Sequence, residues 1–521
     1  MANSRTENSI RNIAFGMAAR IVSILFPFIV RTIFIEYLGE EYLGLNSLFK
    51  SVLQVLNLTD LGFSSAIVAS MYKPIADGDI PKVSALMKLY RRLYRAIGLI
   101  ILAAGLILTP FIDRLISGNP PADINIYIMW LLYLANTVVS YLFFAYKVSL
   151  INAHQRNDIT EKIGIVCGTV TCILQLAVVV LWKNIYAYVL LTVINSIVYN
   201  LWCSRECNKR FPQYTCSGEL EEKSKRELTR NVSALALQKI GNTVSVSLDS
   251  IIISASLGLV LVAIYDNHYY IISAIGMFVN LIYGAVTASI GNSIATETPD
   301  KNLKDLRKFS FLNTWLVGWC CVCFMCLFQD FMILWMGEDL LFETGIVLLL
   351  VLRFYFEQIR KAVLTYKDAM GLWWADKWRP LAGCLVNLVL NITLVKYIGV
   401  AGVMLSTIVS YAVIEMPWET HVLFKRYFNQ SEKAYYAEII CSAGSMLIAG
   451  IVTYGICCMI SLDHLLAIVV KLGICIVVPN IIFALLNLRN KDFKSSVQFM
   501  RRIVEKVGRK AQRFICGRRD T

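Results

Sequence analysis

Residues 464–487 decide the fold class, because their sequence, HLLAIVVKLGICIVVPNIIFALLN, is apolar almost throughout. A helix of about 20 such residues spans the hydrocarbon core of a bilayer. Fourteen segments of this kind occur, at residues 12–35, 42–70, 93–116, 124–150, 160–182, 184–204, 231–256, 260–290, 309–334, 341–366, 378–399, 400–424, 437–460 and 464–487. They do not alternate as the strands of an outer-membrane barrel do. We therefore predict an all-α integral membrane protein with about 14 transmembrane helices.

The composition of the whole chain supports this fold class. Of its 521 residues, 57% are hydrophobic and 17% are charged, whereas a soluble globular protein has about 45–50% apolar and about 25% charged residues. The apolar residues are spread almost evenly from end to end. This distribution excludes a soluble enzyme with a membrane anchor, a disordered protein and a repeat solenoid.

The positions of Lys and Arg predict the orientation in the membrane. When the N-terminus is placed inside, the inner connections hold 41 of these residues and the outer turns hold three, at Arg114, Lys183 and Lys396. Cytoplasmic loops carry such an excess. We therefore predict that both termini are cytoplasmic, in a bacterial plasma membrane. The net charge of +14 would then face anionic lipids rather than nucleic acid.

The sequence lacks the motifs of common enzyme classes. It has no Walker A motif, no H-E-x-x-H motif and no Ser/His/Asp arrangement. All 15 Cys fall in predicted spans or inner segments, which does not indicate a disulfide framework. Residues 320–326 include four Cys in the middle of a span without a His, so packing is favoured over metal binding. We predict a transporter with no catalytic residue, metal or cofactor.

An internal repeat indicates how the helices are organised. A shift of 219 residues places Arg20 on Lys239 and Leu38-Gly39 on Leu257-Gly258. Both segments run from inside to outside, so the repeat is parallel, and it predicts two pseudo-symmetric six-helix lobes plus a C-terminal helix pair. The predicted parts are an N-terminal lobe (1–204), a cytoplasmic linker (205–228), a C-terminal lobe (229–424), an extra hairpin (425–487) and a basic amphipathic tail on the cytoplasmic membrane surface (488–521).

Six cations fall within the predicted spans, where each costs about 2.5–3.5 kcal/mol at the bilayer centre unless it faces protein or water. They are Arg20, Arg31, Lys50, Lys239, Arg353 and Lys471. We predict that they line a cationic lumen for an anionic passenger. The repeat favours this role for Arg20 and Lys239, in a cleft between the lobes. For the others a structural role stays open, and Arg31 is near enough to the outer surface to snorkel.

Acidic residues in or near the spans are candidates for ion coupling. These are Asp249, Asp266 and Glu357. Structural pairing is the alternative, because Glu357 lies four residues after Arg353 on one predicted helix. Transport could be driven by an H⁺ gradient, a Na⁺ gradient or the membrane potential.

Several short motifs resemble those of one family. In the first half they are Tyr37-Leu38-Gly39, Tyr42-Leu43-Gly44-Leu45, Leu61-Gly62-Phe63, Ala66-Ile67, Tyr72-Lys73-Pro74-Ile75 and Gly78-Asp79. In the second half they are Asp249, Leu257-Gly258, Tyr265, Asp376-Lys377, Arg379-Pro380, Asn387, Asn391, Gly399 and Gly402. Together they resemble Wzx-type polysaccharide flippases, which belong to the multidrug/oligosaccharidyl-lipid/polysaccharide exporter superfamily.

The resemblance implies a MATE-like pair of lobes that alternates between inward-open and outward-open states. The passenger would be an undecaprenyl-pyrophosphate-linked oligosaccharide, moved to the outer leaflet for capsule, exopolysaccharide or teichoic-acid assembly. Membrane lipids, a polysaccharide polymerase and glycosyltransferases would be partners. Three alternatives stay open: a cation-coupled multidrug antiporter, a lipid II flippase and a membrane scaffold for glycosyltransferases.

Overall fold

A computed structural model describes residues 24–57, 63–118, 120–220, 222, 243–498 and 501. Two predicted lumen cations, Arg20 and Lys239, lie outside the described residues. The same holds for residues 12–23 and 231–242 of the first and seventh predicted spans, and for most of the predicted basic tail.

The first half of the described chain consists of nine α-helices. They are α1 (24–38), α2 (Glu40–Leu56), α3 (Phe63–Ala76), α4 (Ile80–Leu108), α5 (Ile126–Leu142), α6 (Ala145–Ala153), α7 (Asn157–Trp182), α8 (Ile185–Arg210) and α9 (Thr243–Leu257). A short 3₁₀ helix, Thr109–Leu115, follows α4 directly. Polar N-caps begin several of these helices; the side chain of Asn125, for example, accepts hydrogen bonds from two backbone N–H groups at the start of α5.

The second half of the described chain adds nine more helices. They are α10 (Leu259–Thr296), α11 (Pro299–Met336), α12 (Thr344–Ile359), α13 (Lys361–Ala369), α14 (Arg379–Val409), α15 (Met416–Leu423), α16 (Lys433–Cys458), α17 (His464–Asn487) and α18 (491–498). Helix α14 contains a break with non-helical backbone at Ile398 and Gly399. Two π-helical segments, Ser410–Glu415 and Phe424–Phe428, flank α15.

The described chain is that of an all-α, multi-pass membrane protein, as predicted, and contains no strand within the described ranges. Among the described residues, eight helices are long and apolar enough to cross a membrane, and α5 with α6, bent by 47°, would form a ninth, broken span. Each predicted span overlaps a described helix. The number of fourteen spans is nevertheless not confirmed.

Two glycines break helices at corresponding positions of the internal repeat. Gly39 separates α1 from α2 with a φ of +99°, and Gly258 separates α9 from α10 with a φ of +98°. A left-handed conformation of this kind strains any residue with a Cβ atom. The Leu-Gly pairs that the repeat aligns therefore share one backbone conformation, which explains why both positions carry glycine.

The described residues form two compact units. Unit 1 contains the described residues up to His268 together with Pro380–Ser406, and unit 2 contains Tyr269–Arg379 together with those from Thr407 onward. The lobes predicted at 1–204 and 229–424 divide the chain differently and rest on the repeat, so they stay a prediction.

Close helix contacts hold unit 1 together around α4 and α5. The indole Nε1 of Trp130, which is fully buried, donates to the carbonyl oxygen of Gly105 at 3.1 Å. A Cβ atom on Gly105 would lie 2.4 Å from Leu134 Cδ1. Membrane helices associate through small residues that allow such approach and through interhelical hydrogen bonds. Replacing Gly105 would therefore force the Leu134 side chain to move.

Within unit 2, tryptophans on α11 connect this helix to α17. Trp315 Nε1 donates to Asn480 Oδ1 at 2.7 Å, and Trp319 Nε1 donates to the carbonyl oxygen of Cys475 at 2.8 Å. Phe493, at the start of the predicted surface tail, packs against Phe311 and Trp315. Helices α11 and α17 are therefore fixed to one another at several heights.

Candidate functional site

A cavity of about 520 Å³ lies among α1, α2, α7 and α8 of unit 1. Its wall combines charged side chains, Arg31, Lys50 and Glu161, with amides and hydroxyls. A wet, polar cavity inside apolar helices is expected where a membrane protein handles a polar ligand. We call it the unit 1 cavity.

Arg31 enters the unit 1 cavity from α1. Its Nη1 atom donates a hydrogen bond to Asn267 Oδ1 at 2.7 Å, and Asn267 itself is buried. This hydrogen bond orients the guanidinium. Arg31 therefore presents a positioned cation to the cavity, and its guanidinium suits the two oxygens of a phosphate group.

Lys50 lies on α2 and joins two cavities. It lines the unit 1 cavity and also a smaller one of about 170 Å³, and its side chain is exposed. Asn46, one helical turn earlier, lines both cavities and accepts a hydrogen bond from the Tyr133 hydroxyl at 2.5 Å. Lys50 lies in the electrostatic fields of both Arg31 and Asp266. The structure thus brings two of the predicted lumen cations, Arg31 and Lys50, to one site.

Helices α7 and α8 supply the neutral polar wall of the unit 1 cavity. Thr171 donates to Asn195 Oδ1 at 3.0 Å, and Gln175 Nε2 donates to the Thr192 hydroxyl at 2.9 Å. Sequence analysis did not single out these residues. The available signal was a Gln and an Asn inside otherwise apolar spans, where a polar group needs a partner. Such amides and hydroxyls suit the hydroxyl groups of a sugar.

Asp249, the first coupling candidate, is fully buried in unit 1. Its Oδ1 accepts from Asn391 Nδ2 at 3.0 Å, and its Oδ2 accepts from the Tyr265 hydroxyl at 3.2 Å. Asn391 also donates to Asn387 Oδ1 at 3.2 Å. Both of these donors to Asp249 are neutral, and Asn391 Oδ1 has no hydrogen-bond donor within the part of the chain that is described. Asn391 Oδ1 is therefore an oxygen atom that a small cation beside Asp249 could bind.

The other predicted site residues lie in various surroundings. Asp266 accepts a hydrogen bond from Ser250 in unit 1, at 3.1 Å. In unit 2, Glu357 accepts from Gln358 Nε2 at 3.2 Å, and the buried guanidinium of Arg353 stacks 4.5 Å from the ring centre of Tyr269.

Lys471, also in unit 2, forms an ion pair. Its Nζ atom lies 2.6 Å from Asp330 Oδ2, and His464 Nδ1 lies 3.1 Å from the other oxygen of the same carboxylate. A carboxylate partner compensates the charge of Lys471 within the protein. The substrate and coupling roles of all these residues stay predictions.

Unit 2 also contains a buried ion network that sequence analysis did not find. Its members are Arg360, Lys367, Asp376, Arg379, Glu415 and Glu419, each at most 5% exposed. Arg360 binds both glutamates, Arg379 binds both glutamates and Asp376, and Lys367 binds Asp376. Three cations therefore match three carboxylates. The positive-inside count had assigned these cations to a loop.

Comparison with known proteins now identifies the family. Residues 9–288 match the family model described as "Polysaccharide biosynthesis protein". The chain belongs to this family. No curated protein sequence matches the chain significantly.

Solved structures show the same fold. A structure titled "Lipid II flippase MurJ, inward closed conformation" has a TM-score of 0.68 at 15% identity and covers 92% of this chain and 99% of its own. An inward-facing multidrug resistance MATE family transporter of the MOP superfamily gives 0.56 at 13% identity, with 80% and 99% covered. A mutant of the Vibrio cholerae MATE transporter VcmN gives 0.53 at 14%, with 82% and 98% covered. The predicted MATE-like fold of this family member is thus confirmed.

Proposed function

We propose that this protein is a flippase rather than an enzyme. It moves an undecaprenyl-pyrophosphate-linked oligosaccharide from the inner to the outer leaflet of a bacterial plasma membrane, for capsule, exopolysaccharide or teichoic-acid assembly. Membership of the polysaccharide biosynthesis family supports this proposal. The observation that carries it is the unit 1 cavity, where Arg31 and Lys50 face amides and hydroxyls.

The wall of the unit 1 cavity matches the chemistry of such a passenger. The diphosphate is anionic and would bind Arg31 and Lys50, and sugar hydroxyls would exchange hydrogen bonds with Gln175 and Asn195. The polyprenyl tail is as apolar as the lipid and would stay in the bilayer. Binding moves the protein between its states only by the difference in affinity, so neither state should hold the diphosphate much more tightly.

Ion coupling is proposed at Asp249, with Asp266 and Glu357 as further candidates. Binding of H⁺ or Na⁺ would neutralise a carboxylate that is fully buried, and Asn391 Oδ1 offers Na⁺ an additional oxygen ligand. The membrane potential supplies about 2.3 kcal/mol for each elementary charge moved across 100 mV. One cation per cycle could therefore reset the carrier.

Depletion of the protein in its host tests this function. Extracted lipids are analysed by mass spectrometry while surface polysaccharide is measured. We expect a pyrophosphate-linked oligosaccharide to accumulate while surface polysaccharide falls, and its mass identifies the passenger. Accumulation of lipid II instead would identify a lipid II flippase. Unchanged lipid-linked sugars with sensitivity to cationic drugs would overturn the proposal in favour of a multidrug antiporter.

Complementation of the depleted strain separates transport from scaffolding. A scaffold for a polymerase or glycosyltransferases would not need its cavity cations. Variants of Arg31 and Lys50 expressed in that strain would then restore export fully. We expect them not to restore it.

A further inference from the structure

Three cysteines from three separate helices converge in unit 2. They are Cys326 on α11, Cys457 at the end of α16 and Cys475 in the middle of α17. Their Sγ atoms all lie within 4.8 Å of one another, and all three side chains are buried. The sequence could not reveal this group, because Cys457 and Cys475 lie far along the chain from the cluster at residues 320–326.

Their convergence distinguishes these thiols from cysteines that only fill space. Cysteines of that kind behave as small apolar groups and have no need to converge on one point, whereas here three buried thiols from three helices meet within 4.8 Å.

The separation of the sulfur atoms suits a metal ion. Zn–S bonds of about 2.3 Å in tetrahedral geometry place sulfur atoms about 3.8 Å apart. Sulfur atoms already within 4.8 Å would need to approach by about 1 Å or less to reach that geometry. Rotation about the Cys side-chain bond is sufficient for such a movement.

A second feature of the site is an adjoining cavity with a charge at its wall. A cavity of about 110 Å³ is lined by Cys326 and Cys457 and, on the same wall, by Lys471 and Asp330. It places free volume beside two of the three cysteines. Lys471 is paired with Asp330 on this wall, so the bound metal ion itself would balance the negative charge of the thiolates, which ligate a metal only after losing their protons.

The surrounding packing holds the three helices in place. Trp319 on α11 donates to the backbone carbonyl of Cys475, at 2.8 Å. Gly318 on α11 allows Met446 of α16 to approach so closely that a Cβ atom would lie 2.4 Å from Met446 Cγ. These contacts position the thiol-bearing segments before any ion binds, which lowers the cost of ordering the site.

We propose that Cys326, Cys457 and Cys475 form a binding site for a soft, thiophilic metal ion, which joins the last helix pair to α11. Thiolates select ions such as Cu(I) and Zn²⁺ over the hard cations Mg²⁺ and Ca²⁺. The site is separate from the unit 1 cavity and does not depend on the transport function proposed above.

Cadmium titration of the full-length protein in detergent tests the proposal. With reductant present, we expect one Cd²⁺ per chain, a thiolate-to-cadmium charge-transfer absorption in the ultraviolet, and a higher thermal unfolding temperature. The variant Cys475→Ser should lose all three effects. Cys441→Ser, an exposed cysteine on α16, is the matched control and should keep them.

Two results would overturn the proposal. One is the absence of a charge-transfer band in the wild type. The other is a band in both Cys475→Ser and Cys326→Ser that is as strong as the band of the wild type. Unfolding of the variants without metal, compared with the wild type, shows whether the substitution alone damages the fold. Metal analysis of protein from cells grown with added copper or zinc then distinguishes Cu(I) from Zn²⁺ as the native ion.

Discussion

The cations of the unit 1 cavity and those of the buried ion network differ in their partners. Arg31 donates to a neutral amide and Lys50 is exposed into two cavities, whereas Arg360 and Arg379 contact the carboxylates of Glu415 and Glu419. Cations matched by carboxylates stabilise the fold, since removal of one partner leaves a buried charge. Arg31 and Lys50 instead line a cavity that a ligand could enter.

The largest effect on stability is expected within the buried ion network. Glu419→Gln keeps the shape of the side chain but leaves Arg360 and Arg379 with one carboxylate fewer. Breaking a buried ion pair in this way costs about 3–5 kcal/mol. We expect a strong loss of folded protein, measured by thermal unfolding in detergent. The exposed Glu338 of unit 2 provides the control variant Glu338→Gln, which should unfold like the wild type. Equal stability of Glu419→Gln and Glu338→Gln would show that the buried ion network does not stabilise the fold.

Asp249 is the buried carboxylate that we propose for ion coupling, and its substitution is expected to affect transport more than folding. Asp249→Asn retains the side-chain volume and can still accept hydrogen bonds. We expect the stability to change by less than that of Glu419→Gln, while transport loses its dependence on the ion gradient. Flipping in reconstituted vesicles, with and without an imposed gradient, checks this. If the flipping rate of Asp249→Asn depends on the gradient as that of the wild type does, Asp249 does not couple transport to the ion.

The ion pair between Lys471 and Asp330 resembles the buried ion network in having matched charges, but it is smaller. Both side chains are mostly buried, at 14% and 15% exposed, and His464 also contacts the Asp330 carboxylate. Because Asp330 keeps this second partner, we expect Lys471→Met to lower the free energy of unfolding by less than Glu419→Gln does. Export of polysaccharide should be normal, because Lys471 already forms an ion pair with Asp330. Loss of export at normal protein levels would show instead that Lys471 contacts the passenger.

The smallest effect concerns His154, in the turn between α6 and α7. Burial lowers the pKa of this imidazole, which stacks 4.0 Å from the ring of Phe211. The unfolded chain therefore binds a proton more readily than the folded one, and stability falls as the pH drops below about 6.5. Between about pH 7.5 and about pH 5, the unfolding temperature of the wild type should fall further than that of His154→Phe. Parallel curves would contradict this.

The sequence predicted the fold well because membrane insertion imposes simple local rules. Long apolar runs must be helical in lipid, and each predicted span overlaps a described helix. The repeat also aligned Gly39 with Gly258, and the two share one backbone conformation.

The candidate site was less accessible to sequence analysis, because it depends on which helices meet. Arg360 and Arg379 appeared to be loop cations, yet both are buried against Glu415. This glutamate lies 55 residues after Arg360 and 36 residues after Arg379. The polar wall of Gln175 and Asn195 carries no charge and gave no strong signal. The sequence shows which residues carry a charge and its sign, but it does not show which residues are their partners in the fold.

The most direct measurement of the central claim uses a strain depleted of the protein. It is complemented with the wild type, with the double variant Arg31→Met and Lys50→Met, or with Lys396→Met, an exposed cation of unit 1. Lipid-linked oligosaccharide is quantified by mass spectrometry at matched protein levels. Our account predicts accumulation with the double variant, as in the depleted strain, and normal levels with Lys396→Met. Normal export with the double variant would show that the cavity cations do not carry the passenger.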